Sequence, residues 1–113
     1  MNQNRNKLID LFIGNMSNCA VHQILEKAIE EESIRDHYNK ELLLSLDIAK
    51  RYREKINPKN KALPTKDIER IRKRVMRRVN TELNLRISKG YENINLEDVE
   101  VIVDKLLKNT KVS

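Results

Sequence analysis

The sequence has few of the residues that interrupt helices and few aromatic rings. It contains two glycines, two prolines, no tryptophan and four other aromatic residues among 113 positions. Few breakers together with many Leu, Glu, Lys and Arg favour helix over strand. The scarcity of rings requires a core of aliphatic side chains. We therefore expect an all-α fold in one helical domain spanning residues 1–113, since this length leaves no room for a second domain.

Cysteine and long apolar runs are also scarce. Cys19 is the only cysteine, which excludes an internal disulfide and gives no indication of an oxidising compartment. The apolar stretch 8–14 is interrupted by Asp10 and is not followed by the small residues of a signal-peptide cleavage site. No run approaches the roughly 18 apolar residues that a membrane span needs. We expect a cytoplasmic protein with no membrane partner.

Motifs for catalysis and metal binding are missing as well. The sequence has no glycine-rich phosphate loop, no G-x-S-x-G and no H-E-x-x-H. Cys19 and His22 have C-x-x-H spacing, but only His37 could add another imidazole, so a zinc site is incomplete. Neither histidine has a glutamate three residues before it, as di-metal helical bundles require. We expect no enzymatic activity, no metal and no cofactor. Cys19 is interpreted as a small residue near a helix start, with a thiol activated by the helix end as the alternative.

Apolar spacing and capping residues predict a small bundle of about five helices. Their approximate ranges are 3–13, 17–29, 33–56, 65–89 and 95–109. Gly14 and Asn15 would end the first helix, Pro58 stops the third, and Gly90 suits the residue that follows the fourth. The acidic segment 30–32 interrupts the apolar pattern, so we expect a break or kink there.

The helices predicted over 33–56 and 65–89 would each be about 36 Å long. Rods of that length fit a compact domain as a long antiparallel helical hairpin covered by the shorter helices. The first of them carries two apolar stripes that together span about 160° of its circumference. The stripes are Ile34, Tyr38, Leu42, Leu46, Ala49 and Ile56, and Leu44, Ile48 and Tyr52. One neighbour does not cover so wide an arc, so we expect this helix to be central, or to be covered in a homodimer.

The net charge of +6 lies in the second half of the chain. Residues 1–56 carry nine basic and nine acidic residues, whereas residues 57–113 carry fourteen and eight. The segment 59–78 alone holds nine basic residues, with only Asp67 and Glu69 as acids. This concentration of positive charge is the most distinctive feature of the sequence.

A helical wheel places most of these cations on one exposed face of the helix predicted over 65–89, opposite Val75 and Val79. The candidate nucleic-acid-binding residues are Lys59, Lys61, Lys66, Arg70, Lys73, Arg74, Arg77 and Arg78. The end of the preceding helix adds Lys50, Arg51, Arg53 and Lys55. Arg72 and Arg86 fall in the apolar sector, where they either extend past the core edge or pair with a carboxylate across an interface, such as the cluster 30–32.

Like charges one helical turn apart repel by a few tenths of a kcal/mol. An external polyanion would relieve that repulsion, and arginine outnumbers lysine five to one across 70–78, which suits phosphate. Because no aromatic residues are spare for base stacking, binding would follow the phosphate backbone with little sequence discrimination. The alternatives are an acidic protein partner, a merely solvated surface, and a helical module for protein–protein interaction or homo-oligomerisation, with a dimer expected.

Overall fold

The structure of the chain is a computed structural model that describes residues 4–29, 31–57 and 62–112. It contains four α-helices: α1 (Asn4–Ala28), α2 (Glu32–Ile56), α3 (Thr65–Ser88) and α4 (Asp98–Asn109). No strand occurs among these residues, so the all-α expectation is confirmed, with four helices rather than five. None of the helices in this part of the chain is long and apolar enough to cross a membrane.

The first two predicted helices form one continuous helix, so the predicted end at Gly14 is wrong. Glycine inside a helix costs about 1 kcal/mol relative to alanine. Here the buried side chains on both sides of Gly14 outweigh that cost. The Asn15 amide donates to the Leu11 carbonyl over 2.9 Å, and the Ser17 hydroxyl donates to the Ile13 carbonyl over 2.7 Å. Both polar side chains therefore bond to carbonyls one turn earlier, and the helix continues through this segment.

Helix α1, and not the helix over 33–56, is central. It packs against α2, α3 and α4, whereas α2 packs against α1 alone among the helices. The fully or almost fully buried residues of α1 are Ile9, Phe12, Ile13, Met16, Cys19, Ala20, Val21, Ile24 and Leu25. They surround most of the helix, because the stripes of its two halves point in different directions. Splitting α1 in the sequence prediction hid this wide apolar arc.

The long hairpin predicted between 33–56 and 65–89 is wrong. Among the described residues, no Cα atom of α2 lies within 8 Å of one in α3. The hairpin is formed by α1 and α2, joined by the short connection 29–31, and the Cys19 thiol lies 3.7 Å from the Leu42 carbonyl across it. The second stripe of α2 is not core either, since Leu44 is 58% exposed. Short connections place consecutive helices side by side, and α1 ends at Ala28 while α2 begins at Glu32, so the predicted interruption of the helix is confirmed. Residue 30 lies outside the described residues.

Helix α3 runs parallel to α1, and α4 returns antiparallel along α3. Two cross-helix pairs, Arg5 with Asp67 and Arg74 with Asp10, fix the parallel register. Gly90, with φ of 98°, ends α3 as predicted. Its amide donates to the Ile87 carbonyl, and the next amide donates to the carbonyl of residue 86, which is a Schellman motif.

The end of the chain is held against the bundle. After α4, Lys111 adopts a positive φ of 62°, and the Val112 amide donates to the Leu107 carbonyl over 2.9 Å. Val112 is only 2% exposed. The guanidinium of Arg53, on α2, donates twice to the Lys111 carbonyl, from Nε over 3.1 Å and from Nη2 over 2.9 Å. This contact joins the far end of α2 to the end of α4.

Candidate nucleic-acid interface

Helix α3 has a buried side and a charged side. Ile71, Val75, Val79 and Leu83 are fully buried against the rest of the bundle. On the opposite side, four cations are exposed at successive helical turns, and we call them the outer row: Lys66, Arg70, Lys73 and Arg77. The predicted amphipathic division of this helix is confirmed.

The other candidate residues are placed differently. Arg74 and Arg78 lie beside the outer row on the edge of α3 that faces α1: Arg74 pairs with Asp10, and an η-nitrogen of Arg78 comes close to Gly14. Lys59 and Lys61 lie outside the described residues. The structure thus brings six of the eight candidates together on α3.

Close ion pairs are absent from most of this surface among the described residues. In the described part of the chain, the charged nitrogens of Lys66, Lys73, Arg77 and Arg78 have no carboxylate oxygen within 4 Å, unlike that of Arg74. The remaining member of the outer row, Arg70, reaches only the Asn6 side-chain oxygen at 3.5 Å.

One of the two acids in the basic segment is already neutralised. Asp67 pairs with Arg5 of α1. Because Asp67 is paired with Arg5, it does not compensate the charge of the outer row. Arg5 itself is a half-exposed arginine at the same end of the surface. The roles of Arg5, Asn6 and Asp10 follow from the parallel packing of α1 and α3, and no local sequence pattern indicates them.

Arg72, on the opposite flank of α3, is compensated within the chain. Its guanidinium binds both carboxylate oxygens of Asp104, at 2.7 and 3.1 Å, and also Glu100, at 3.0 Å. These bonds raise the pKa of Arg72, the hydrogen bond to Asp104 most of all. Arg72 therefore pairs with carboxylates of its own chain, on α4, and not across an interface with the cluster 30–32.

Arg86 pairs with Glu82 one turn earlier, at 2.8 Å. Its Nε is buried and has no hydrogen-bond partner among the residues that the structure describes. Arg86 is thus partly buried, as expected for a side chain that extends past the edge of the core. Its charge is compensated by Glu82 of the same helix.

The cations at the end of α2 do not extend the surface. Arg51 pairs with Asp47 at 2.8 Å. Arg53 is 6% exposed, and burial lowers its pKa. Because α2 makes no contact with α3 among the described residues, the expected continuation of the basic face through Lys50–Lys55 is wrong.

The aromatic residues are placed away from the outer row. Phe12 is buried, Tyr38 and Tyr52 are half-buried, and Tyr91 is 44% exposed in the loop after α3. Base stacking beside the outer row therefore has no ring to use, as the composition indicated.

Cys19 belongs to the core. It is fully buried, and burial raises the pKa of its thiol to about 12, so the thiol is protonated at neutral pH. The alternative of an activated thiol at a helix start is wrong because Cys19 lies in the interior of α1. Burial lowers the pKa of the nearby His22, whose ring centroid is 5.6 Å from that of Tyr38.

No three His, Cys, Asp or Glu side chains of the described residues are grouped closely enough to hold a metal ion. Comparison of the chain with protein-family models, with curated proteins and with solved structures finds no match. The geometry of α3 therefore carries the functional argument.

Proposed function

We propose that this chain binds nucleic acid through the phosphate backbone, with the outer row of α3 as the contact surface and no catalytic step. The supporting observation is the row itself. Its four cations recur at one face of a single helix, and three of them have no hydrogen-bond or carboxylate partner among the described residues.

The spacing suits a backbone. Residues 66 and 77 are separated by about 16 Å along the helix axis at 1.5 Å per residue. Over this distance a nucleic-acid strand presents several phosphates, since a duplex strand carries one charge per about 3.4 Å of axis. Neutralisation by phosphate would also remove the repulsion between successive cations of the row.

Nucleic acid suits the surface better than an acidic protein for two reasons. The guanidinium groups of Arg70 and Arg77 present planar pairs of donors that match phosphate oxygens. The exposed apolar residues of α3, Leu85 and Ile87, lie beyond the end of the outer row, whereas protein interfaces usually centre on aromatic or aliphatic anchors. We expect duplex DNA and duplex RNA to bind with little sequence preference.

The test is fluorescence anisotropy with labelled duplexes over a series of salt concentrations. The variant replaces the four outer-row residues by glutamine. The matched control replaces four exposed lysines elsewhere, Lys40, Lys50, Lys105 and Lys108, so that the net charge falls equally. We expect the outer-row variant to lose roughly 100-fold in affinity and to flatten the log–log salt slope by about 3 to 4, at about 0.9 per phosphate contact.

Two outcomes contradict the proposal. No duplex binding by the unaltered chain at ~50 mM salt, where phosphate contacts are strong, removes it. Equal losses in the outer-row variant and in the control would show that only net charge matters. Binding to an acidic polypeptide but not to duplexes would favour the acidic protein partner instead.

A second candidate function, homo-oligomerisation, is supported by α2. This helix packs against α1 alone among the helices, and Leu43 and Leu44 are 56% and 58% exposed on it. A second copy of the chain would cover them. Light scattering after gel filtration tests this: a dimer that becomes a monomer in Leu43→Gln/Leu44→Gln supports it, and a monomeric unaltered chain contradicts it.

A further inference from the structure

A cleft of about 320 Å³ lies between α1 and α3 at the end of the outer row. Ser17, Asn18 and Val21 line it from α1, and Arg77, Arg78 and Thr81 line it from α3. Arg77 is the last member of the outer row, so the cleft continues the basic surface inward between two helices.

The charge inside the cleft is positive. Neither Arg77 nor Arg78 has a carboxylate partner within the residues that the structure describes. Glu82 also reaches the cleft, but its carboxylate accepts a 2.8 Å hydrogen bond from Arg86. The acid is therefore already neutralised, and two uncompensated guanidinium groups remain.

Neutral donors complete the lining. The side chains of Asn18 and Thr81 have no hydrogen-bond partner in the described part of the chain. The Ser17 hydroxyl already donates to the Ile13 carbonyl over 2.7 Å, so it offers only lone pairs. The available groups are thus two guanidinium forks, one amide and one hydroxyl, and this is a donor set for an oxyanion.

Gly14 permits Arg78 to lie close to α1. The position that a β-carbon would occupy at Gly14 is 3.7 Å from Nη1 of Arg78. A long side chain at position 14 would occupy this space. The guanidinium therefore rests at the edge of the cleft, against the backbone of the central helix.

We propose that this cleft holds a single phosphate group of the bound polyanion. The inference rests on the proposed function for the source of the phosphate, which is either an internal phosphodiester or a terminal phosphate monoester. In both, the non-bridging oxygens on the tetrahedral phosphorus accept hydrogen bonds from Arg77, Arg78, Asn18 and Thr81.

The test is a titration of the ¹⁵N-labelled chain with inorganic phosphate against chloride at matched ionic strength, followed by NMR. The chain has only two glycines, so the Gly14 amide reports on the cleft and the Gly90 amide serves as an internal reference. We expect saturable shifts of the Gly14 amide and of the Asn18 side-chain amide with phosphate, and no saturable shift of Gly90.

Three variants assign the shifts to the cleft. Arg78→Gln weakens phosphate binding roughly ten-fold, since a hydrogen bond to a charged group contributes more than a neutral one. Thr81→Val, which keeps the shape and removes the hydroxyl, weakens it about three-fold. Lys105→Gln, which removes an exposed cation of α4 outside the cleft and the outer row, leaves it unchanged.

Duplexes with 5′-phosphate and 5′-hydroxyl ends distinguish the two sources. If the cleft holds a terminal monoester, the unaltered chain prefers phosphorylated ends and Arg78→Gln loses that preference. If it holds an internal phosphodiester, the ends make no difference and Arg78→Gln reduces the salt slope by about 1.

An absent or non-saturable Gly14 shift, or an identical shift in Arg78→Gln, overturns the cleft assignment. That result leaves duplex binding by the outer row intact. Conversely, a saturable Gly14 shift without any duplex binding keeps the phosphate cleft and overturns the nucleic-acid proposal.

Discussion

Helix α3 carries arginines in two different surroundings: on the flank that faces α4 and in the outer row. Arg72 faces α4, where Asp104 and Glu100 receive its guanidinium. Two positions away, Arg70 is exposed on the outer row, where its one hydrogen-bond partner among the described residues is the Asn6 side-chain oxygen at 3.5 Å. The neighbouring helix, and not the local sequence, therefore decides whether an arginine of α3 forms an ion pair within the chain or remains available to an external anion.

The largest expected effect concerns the buried side of α3. Leu83 is fully buried, so Leu83→Ala should reduce the free energy of unfolding by about 2–5 kcal/mol through lost burial and a residual cavity. Urea denaturation measures it. The exposed neighbour provides the control, and Asn84→Ala should change stability by less than about 0.5 kcal/mol. Equal effects of the two substitutions would show that this side of α3 does not hold the bundle together.

Arg53, on α2, is a third kind of arginine, because its side chain is buried. Its double donation to the Lys111 carbonyl holds the chain end. Arg53→Met should cost about 1–3 kcal/mol, because the Lys111 carbonyl then loses its charged donor. Hydrogen exchange at the Val112 amide should accelerate as well. The exposed Arg51→Met is the control, and a cost as large there would contradict the assignment of a special role to Arg53.

The two glycines should respond in opposite directions. At Gly14 an added β-carbon meets Arg78 at an ordinary contact distance of 3.7 Å, so Gly14→Ala should stabilise the chain by about 0.5–1 kcal/mol through helix propensity. At Gly90 the positive φ strains any side chain, so Gly90→Ala should destabilise it by about 1 kcal/mol. Thermal unfolding measures both. A loss of stability in Gly14→Ala would show that α1 and α3 approach more closely there.

The Arg72–Asp104 pair should contribute modestly. The two side chains are 39% and 48% exposed, so water and salt screen their interaction. A double-mutant cycle with Arg72→Gln and Asp104→Asn should give a coupling energy of about 0.2–1 kcal/mol. It should shrink at 1 M salt, where the Debye length is about 3 Å. A coupling energy that does not change with salt would show that the pair is shielded from solvent, as a buried ion pair is.

The smallest effect is expected on the outer row. Arg77→Gln removes a charge that lies one turn from Lys73 and has no carboxylate partner among the described residues. Stability should rise by a few tenths of a kcal/mol at low salt as repulsion falls. Denaturation at two salt concentrations measures it. A loss of stability above about 1 kcal/mol would show that Arg77 makes a structural interaction, and the outer row would then not differ from the flank that carries Arg72.

Sequence reasoning recovered the features of α3 that depend on local order. The spacing of Ile71, Val75, Val79 and Leu83 determines a buried side, and the cations between them must then point outward. Gly90 ends α3 because only a residue that tolerates positive φ suits that position. The end of α1 at Ala28 and the start of α2 at Glu32 follow from the loss of the apolar pattern near 30–32.

The sequence by itself determined that the chain is helical and that one helix carries a basic face, because helix propensity and 3.6-residue periodicity are local properties. Only the tertiary structure decided that Gly14 continues α1, that α1 lies at the centre, and that α2 pairs with α1. Each depends on burial by residues distant in the chain, which outweighs the local cost at Gly14. The same distant packing assigned Asp10 to Arg74 and Asp104 to Arg72, and so decided which cations remain uncompensated.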